Sequence, residues 1–475
     1  MKKIITFVNE FLIQKIMTKE EAKKFFMDRK NLSLIMSDEE IKKAHEFCEG
    51  YKDFMSKAKT EREINVYAIE KAEKAGFKRF NFGDKVKKGD KIYFDNRGKA
   101  VILAVIGENI EDGVNLTAAH IDSPRLDLKE NPLYEQEELG FFKTHYYGGI
   151  KKYQWTAIPL SLHGVIIKKD GKKVIVNIGE DENDPVFLVT DLLPHLAQNQ
   201  MKRPANEIIR GEELNILIGS YCVKGEDISS RVKTNIMQIL NAKYGIVEGD
   251  FLNSELEAVP ALKPKDIGFD RSMIGAYGHD DKVCAYPELM AILEIKDPKK
   301  TAIAILTDKE ETGSDGNTGL NSSYLKYFIE DLAATLGANP RKVFSNSKCL
   351  SADVNSAYDP TFPDVFEKAN SSFLNYGVVV TKFTGSRGKY GTSDANAEFT
   401  AEIHHLFDKE GVIWQNGELG KVDLGGGGTV ALYMANLNID TIDVGVPVLS
   451  MHAPYETVSK LDTYMAYKAF YAFQK

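Results

Sequence analysis

Histidine and carboxylate side chains gather in three short motifs of this sequence: His120-Ile121-Asp122, Gly278-His279-Asp280-Asp281-Lys282 and Asp308-Lys309-Glu310-Glu311. A carboxylate two residues from an imidazole can fix the ring and tautomer of a metal-binding histidine, although a lone pair of this kind is more often a hydrogen-bonded turn. An Asp pair just ahead of a helix usually caps it and meets its dipole; the alternative is a bridging metal ligand at Asp280, with Asp281 at its shoulder. Adjacent glutamates at the mouth of a buried strand are costly to hold together unless a cation neutralises them, whereas a solvated loop tolerates them freely. With a cation present, one glutamate can bind it while its neighbour stays free as a base. Ser351-Ala352-Asp353 and Met451-His452-Ala453-Pro454-Tyr455-Glu456 complete the set. His120, Asp280, Glu311, Asp353 and His452 supply two imidazoles and three carboxylates, suited to two divalent ions sharing one carboxylate, with zinc the natural choice. Each ion would take one histidine, one terminal carboxylate and the bridge, leaving space for a hydroxide between them.

Such a constellation needs a scaffold that brings distant segments together. Apolar residues three and four apart, as in Ile5, Val8, Phe11, Leu12 and Ile16, predict helices over residues 1 to 75. Lys91 to Phe94, Ala100 to Ile106 and Val114 to Ala119 read as strands divided by Gly- and Asp-containing turns, and the last of them runs into His120. Polar residues at a strand's carboxyl end are where open α/β sheets place ligands. Further on, Val283 to Ile295 and Asn321 to Leu336 read as helices, and Thr301 to Thr307, Gly377 to Phe383 and Thr441 to Val446 as strands. Between the two halves, Leu160 to Ile167, Lys173 to Ile178, Leu214 to Cys222 and Tyr244 to Val247 are short β runs. The fold class expected is therefore α/β: a mixed sheet with helices on both faces from residues 1–125 and 269–475, interrupted by a strand-rich insertion over 126–268.

Composition narrows the partners. A chain of 475 residues, 43% hydrophobic and 27% charged, can bury a large core. Its net charge of -8 gives no general attraction to phosphate backbones or anionic lipid, so neither nucleic acid nor a membrane is an expected partner. Cys48, Cys222, Cys284 and Cys349 are widely spaced, which suggests neither a disulfide framework nor a thiolate zinc site and fits a reducing, cytoplasmic compartment. Asn9, Glu10, Gln14 and Lys15 interrupt any secretion signal, and no apolar run approaches the roughly 20 residues that span a bilayer.

Five motifs in order, TAAHIDSPRLD, GHDDK, DKEETGS, SADVNSA and MHAPYE, resemble those of the aspartyl aminopeptidase family of two-zinc aminopeptidases, over essentially the whole chain. The resemblance implies a zinc exopeptidase catalytic domain and a dimerisation role for the insertion. It implies that His120, Asp280, Glu311, Asp353 and His452 bind two zinc ions, that Asp280 is the bridge, that Glu310 is the general base and that Asp122 supports His120. Pro194-His195-Leu196-Ala197 is similar to the segment that sends a histidine into a neighbouring subunit's active site; a buried histidine on a Leu-rich helix is the alternative. Lys382 resembles the family lysine that meets an acidic substrate side chain, although its spacing to Lys389-Tyr390 departs from that of eukaryotic members. Gly427, Gly428 and Thr429, closing the Gly425 to Gly428 tetrad, are similar to a loop that lets backbone approach the peptide. The expected activity is removal of the N-terminal residue from peptides, with an acidic preference implied. The alternatives are an aminopeptidase of neutral or broad specificity, a dipeptidase on the same centre, or a noncatalytic assembly or cargo protein. The implied assembly is a homo-oligomer, a tetrahedral dodecamer.

Overall fold

The computed structural model describes residues 17–475, so the helical spacing over Ile5, Val8, Phe11, Leu12 and Ile16 lies outside the described residues. From there to residue 75 the chain forms the helices Lys19–Lys23, Asp38–Lys57 and Glu61–Lys74. Ser37 accepts the amide of Glu40 while the Glu40 carboxylate accepts the amide of Ser37, a capping box that starts the long helix. Ala44, Cys48, Tyr51 and Met55, three and four apart, form its buried side.

Nine strands make the main sheet, in the order Lys78–Arg79, Lys91–Asn96, Ala100–Val105, Thr301–Thr307, Val114–His120, Lys348–Ser351, Asp440–Gly445, Val378–Thr381 and Trp414–Asn416. The four from Thr301–Thr307 to Asp440–Gly445 run parallel, with antiparallel neighbours on both sides. Side chains alternate between faces. Ala302, Ala304 and Leu306 join one core with Val283, Ile292 and Phe470, while Ile303 and Ile305 join another with Phe328 and Leu332. Helices cover both faces, which is why these central strands are apolar throughout. The carboxyl ends of the parallel strands lie side by side, and His120, the Glu310–Glu311 pair and Asp353 stand at or just after three of them.

Residues 125 to 260 build a second, seven-stranded antiparallel sheet: Lys173–Ile178, Leu160–Ile167, Ser254–Pro260, Arg125–Gln136, Leu139–Tyr147, Ile216–Gly219 and Leu188–Val189. It has its own core around Leu126, Phe142, Trp155, Leu162 and Phe251. The expected strands Leu160–Ile167 and Lys173–Ile178 are present. Tyr244 to Val247 is not a strand, because Tyr244 ends the helix Arg231–Tyr244 and Gly245 stops it in left-handed backbone, φ 66°. Ile236, Met237 and Leu240 of that helix pack on the sheet's core at helical spacing.

A third sheet orders Lys265–Ile267, Met273–Ala276, Glu456–Ser459, Pro447–Leu449 and Asn355–Ser356. It feeds the chain into Gly278 and frames the loop that carries His452. Among the described residues, no helix is long and apolar enough to cross a membrane.

Candidate metal centre

Local backbone explains how each ligand candidate reaches the same spot. His120 is the last residue of its parallel strand. The neighbouring strand Thr301–Thr307 turns through Lys309, φ 75°, into the short helix Glu310–Thr312. Asp353 follows the strand Lys348–Ser351, and Gly445 lets its main chain lie close, since a Cβ there would overlap the Asp353 carbonyl. The helix His279–Glu294 starts earlier than Val283, but Asp280 and Asp281 have non-helical backbone and are joined by a cis peptide bond. His452 occupies left-handed backbone, φ 63°, in the loop before Glu456–Ser459.

The side chains converge around Asp280. Its Oδ1 lies 3.1 Å from His120 Nε2, and its Oδ2 lies 3.1 Å from His452 Nε2. One donor atom each from His120, Asp280 and Asp353 lie within 4.8 Å of one another, and the same holds for Asp280, Glu311 and His452. Asp280 is common to both triads. Glu310 belongs to neither; its Oε2 stands 3.8 Å from His120 Nε2.

Both rings are oriented by acceptors. His120 Nδ1 lies 3.0 Å from the Asp122 carbonyl oxygen and His452 Nδ1 lies 2.8 Å from the Gly149 carbonyl oxygen. A carbonyl only accepts, so Nδ1 carries the proton in each ring. Each Nε2 then faces carboxylate oxygens, an arrangement that a cation between them stabilises.

The electrostatics point the same way. Burial pushes the Glu311 and Asp353 carboxyls well above the usual range, and Asp280 adds to both shifts. Burial likewise raises Glu310 to about 7, with Asp122 and Asp280 adding and the two histidines opposing. Burial opposes charging of His452, yet Asp280 and Glu311 beside it push the ring up to about 10. Carboxylates packed this closely repel one another unless positive charge is supplied. Glu311 Oε1 is buried and accepts no hydrogen bond among the described residues. The donor set of two imidazoles and three carboxylates therefore fits divalent cations, and zinc in particular.

Asp122 does more than support His120. Fully buried, it accepts the amides of Glu310 and Glu311 at 3.1 and 3.2 Å and the Tyr147 hydroxyl at 2.7 Å. Two supports were not assigned from sequence, and a third, Asp281, makes a contact other than the expected one. Glu456 accepts the amides of both Asp280 and His452, at 3.1 and 2.6 Å. Lys282 Nζ donates to Ser123 Oγ at 2.8 Å, and Ser123 donates to the Asp280 carbonyl at 2.9 Å. Asp281 accepts the His120 amide at 3.2 Å. Glu456 and Lys282 lie inside recognisable motifs, but only the tertiary pairing gives them work.

The remaining candidates lie outside the two triads. His195 is in an exposed turn, not a buried position on a Leu-rich helix, and is flanked by the exposed Leu192, Leu193 and Leu196. Lys382 follows the strand Val378–Thr381 and pairs with Asp394, which also holds Lys389 at 2.8 Å. Gly425 and Gly426 are packed against the main chain at Leu419 and Gly385, whereas Gly427 and Gly428 have more room. The Gly427 amide donates to the Thr384 carbonyl at 2.8 Å. Thr429 is buried, and its Oγ1 accepts the Ala431 amide at 3.3 Å.

Comparison with known proteins agrees with this architecture. A family model described as aminopeptidase I zinc metalloprotease (M18) matches residues 54–474. The chain is 50% identical over 445 residues to a probable M18 family aminopeptidase 1 of Clostridium acetobutylicum, covering 92% of this chain and 96% of that protein. It is similar to the crystal structure of an M18 family aminopeptidase from Thermotoga maritima, with a TM-score of 0.90 at 44% identity over 95% of this chain and 100% of that one. At 20% identity and a TM-score of 0.73, it shares its fold with the mApe1 dodecamer of S. cerevisiae, over 91% of this chain and 96% of that one.

Proposed function

The chain belongs to the M18 family of aminopeptidase I zinc metalloproteases, and from that premise we propose that it removes N-terminal residues from peptides at a centre for two zinc ions sharing Asp280. The observation that carries this reading is the Asp280 carboxylate, with one oxygen toward His120 and the other toward His452. His120 and Asp353 would hold one ion, and Glu311 and His452 the other. Zinc at such a centre lowers the pKa of water and acts as a Lewis acid on a carbonyl.

Glu310 is the general base. It stands beside the triads without belonging to either, so its carboxylate is free to take a proton from the attacking water and pass it to the leaving amine. Asp122 keeps it in place by accepting the Glu310 amide while its main-chain carbonyl orients His120. Glu456 ties the Asp280 and His452 loops together through their amides. The test is metal analysis beside hydrolysis of a peptide panel by the zinc-loaded chain. Two ions per chain and release of the N-terminal residue support the reading, whereas hydrolysis at internal bonds or indifference to chelation contradicts it.

Substrate preference follows from what Lys382 can reach. An acidic preference requires a lysine able to meet the substrate's carboxylate, and Asp394 already engages Lys382 and Lys389. That pairing favours neutral or broad specificity, with Gly427, Gly428 and Thr429 bordering the peptide. For assembly, we propose that residues 126–268 form an inserted dimerisation domain on a catalytic domain of residues 1–125 and 269–475, within a tetrahedral dodecamer. His195 would then reach a neighbouring subunit's centre, and the exposed leucines around it supply apolar surface for that contact.

A further inference from the structure

Where the hairpin of Arg125–Gln136 and Leu139–Tyr147 returns to the main body, three consecutive residues touch three parts of the metal centre. Tyr147 donates its hydroxyl to Asp122 Oδ2 at 2.7 Å. Gly148, φ 75°, passes so close that a Cβ would stand 3.1 Å from Glu311 Oε2. The Gly149 carbonyl accepts His452 Nδ1–H at 2.8 Å, and a Cβ on Gly149 would stand 3.3 Å from the same nitrogen.

The segment is itself anchored to the seven-stranded sheet. Arg125 and Tyr147 are register partners across the hairpin, and the Arg125 guanidinium lies 4.0 Å from the centre of the Tyr147 ring. That guanidinium is buried and pairs with Asp127 at 2.7 Å and with Glu61 and Glu257 at 3.3 Å. A shift of the hairpin's base therefore moves the carbonyl that fixes the His452 tautomer and the wall behind Glu311.

We propose that Tyr147-Gly148-Gly149 is a positioning element through which the seven-stranded sheet sets how tightly the Glu311 and His452 side of the centre holds its cation. The inference rests on the two-ion reading above. It concerns residues that bind no ion themselves: an acceptor for the second ring nitrogen, a hydroxyl donor to Asp122, and a bare backbone where a side chain would displace a ligand. Loss of such an outer partner weakens metal binding by about 10–100-fold.

The test is competitive chelator titration with zinc, read by metal analysis, on the full chain and three variants. Gly149→Ala adds the obstructing Cβ at a position whose φ does not demand glycine. Tyr147→Phe keeps the ring over Arg125 and removes only the hydroxyl. Gly249→Ala is the control, since a Cβ there meets nothing within 4 Å. The expected result is two ions on the parent and the control; in Gly149→Ala the ion at Glu311 and His452 is about 10–100-fold weaker and the other unchanged, whereas Tyr147→Phe, whose hydroxyl acts through Asp122 on His120 as well as on the Glu311 amide, weakens both ions without a fall in melting temperature. The cobalt-loaded Gly149→Ala chain should lose or shift the visible absorption of one ion only. Two ions held by both variants within threefold of parent affinity overturn the positioning role, as does equal weakening of both ions together with a fall in melting temperature. Fewer than two ions on the parent overturns the two-ion reading itself.

Discussion

Replacing Glu310 by glutamine should stop turnover while leaving the metals in place. Glu310 Oε2 stands 3.8 Å from His120 Nε2, its amide is held by Asp122 at 3.1 Å, and it belongs to neither ligand triad. The amide side chain preserves shape and volume but cannot accept a proton. General-base catalysis contributes about 10²–10⁴-fold, so kcat should fall by that factor, equivalent to about 2.7–5.4 kcal/mol at about 1.36 kcal/mol per tenfold. Glu311→Gln should behave differently. Glu311 Oε2 is 3.6 Å from His452 Nε2, and its buried Oε1 has no hydrogen-bond partner among the described residues, so losing its charge weakens one triad. The assay pairs kcat on a leucine anilide in excess zinc with metal analysis after dialysis. Loss of metal from Glu310→Gln with retention in Glu311→Gln would show that the two roles are exchanged. Full activity in Glu310→Gln with both ions bound would refute the base assignment.

Three further outcomes are expected. Glu180 pairs with Lys59 at 2.7 Å and with His163 at 3.1 Å; burial opposes its charge, but these partners hold its carboxyl down to about 2. That stabilisation, roughly 2–3 kcal/mol, is fully present above pH 4.5 and fades as the pH falls toward 2. Glu180→Gln should therefore be less stable at pH 6, with the gap about 1 kcal/mol smaller at pH 3.5 in urea unfolding; a gap independent of pH contradicts the ion-pair account. Mixing Glu310→Gln subunits with His195→Ala subunits and reassembling them should recover part of the activity, and no recovery despite demonstrated mixing excludes a trans-acting His195. Asp394→Asn should free Lys382 and raise kcat/KM for N-terminal Asp and Glu peptides relative to Leu peptides, whereas an unchanged ratio means that Lys382 does not read the substrate side chain.

Much of the centre was legible because strand ends and ligand chemistry coincide. Thr301–Thr307 is fully buried and ends beside the glutamate pair, as its apolar run predicts, and His120 closes its own strand. The supports were less visible for physical reasons. Gly149 contributes a backbone carbonyl, which carries no side-chain signal. Tyr147 ends the strand Leu139–Tyr147, whose inward positions include Gly140 and Thr144 and so show no apolar alternation in sequence, and its partner strand is bulged between Leu128 and Leu133. The helix Arg231–Tyr244 carries Val232, Ile236, Met237 and Leu240 at helical spacing, but only Val232 is fully buried, so the helix lies on a largely solvated surface of a segment whose short β runs dominate its texture. Asp281, expected at the shoulder of Asp280, accepts the His120 amide, a backbone contact that carries no sequence signal.

The most direct test of the central claim is anomalous diffraction at the zinc edge from zinc-loaded crystals. The account predicts two peaks flanking the Asp280 carboxylate, one beside His120 and Asp353 and the other beside Glu311 and His452. A single peak, or a pair in which neither touches Asp280, would contradict it.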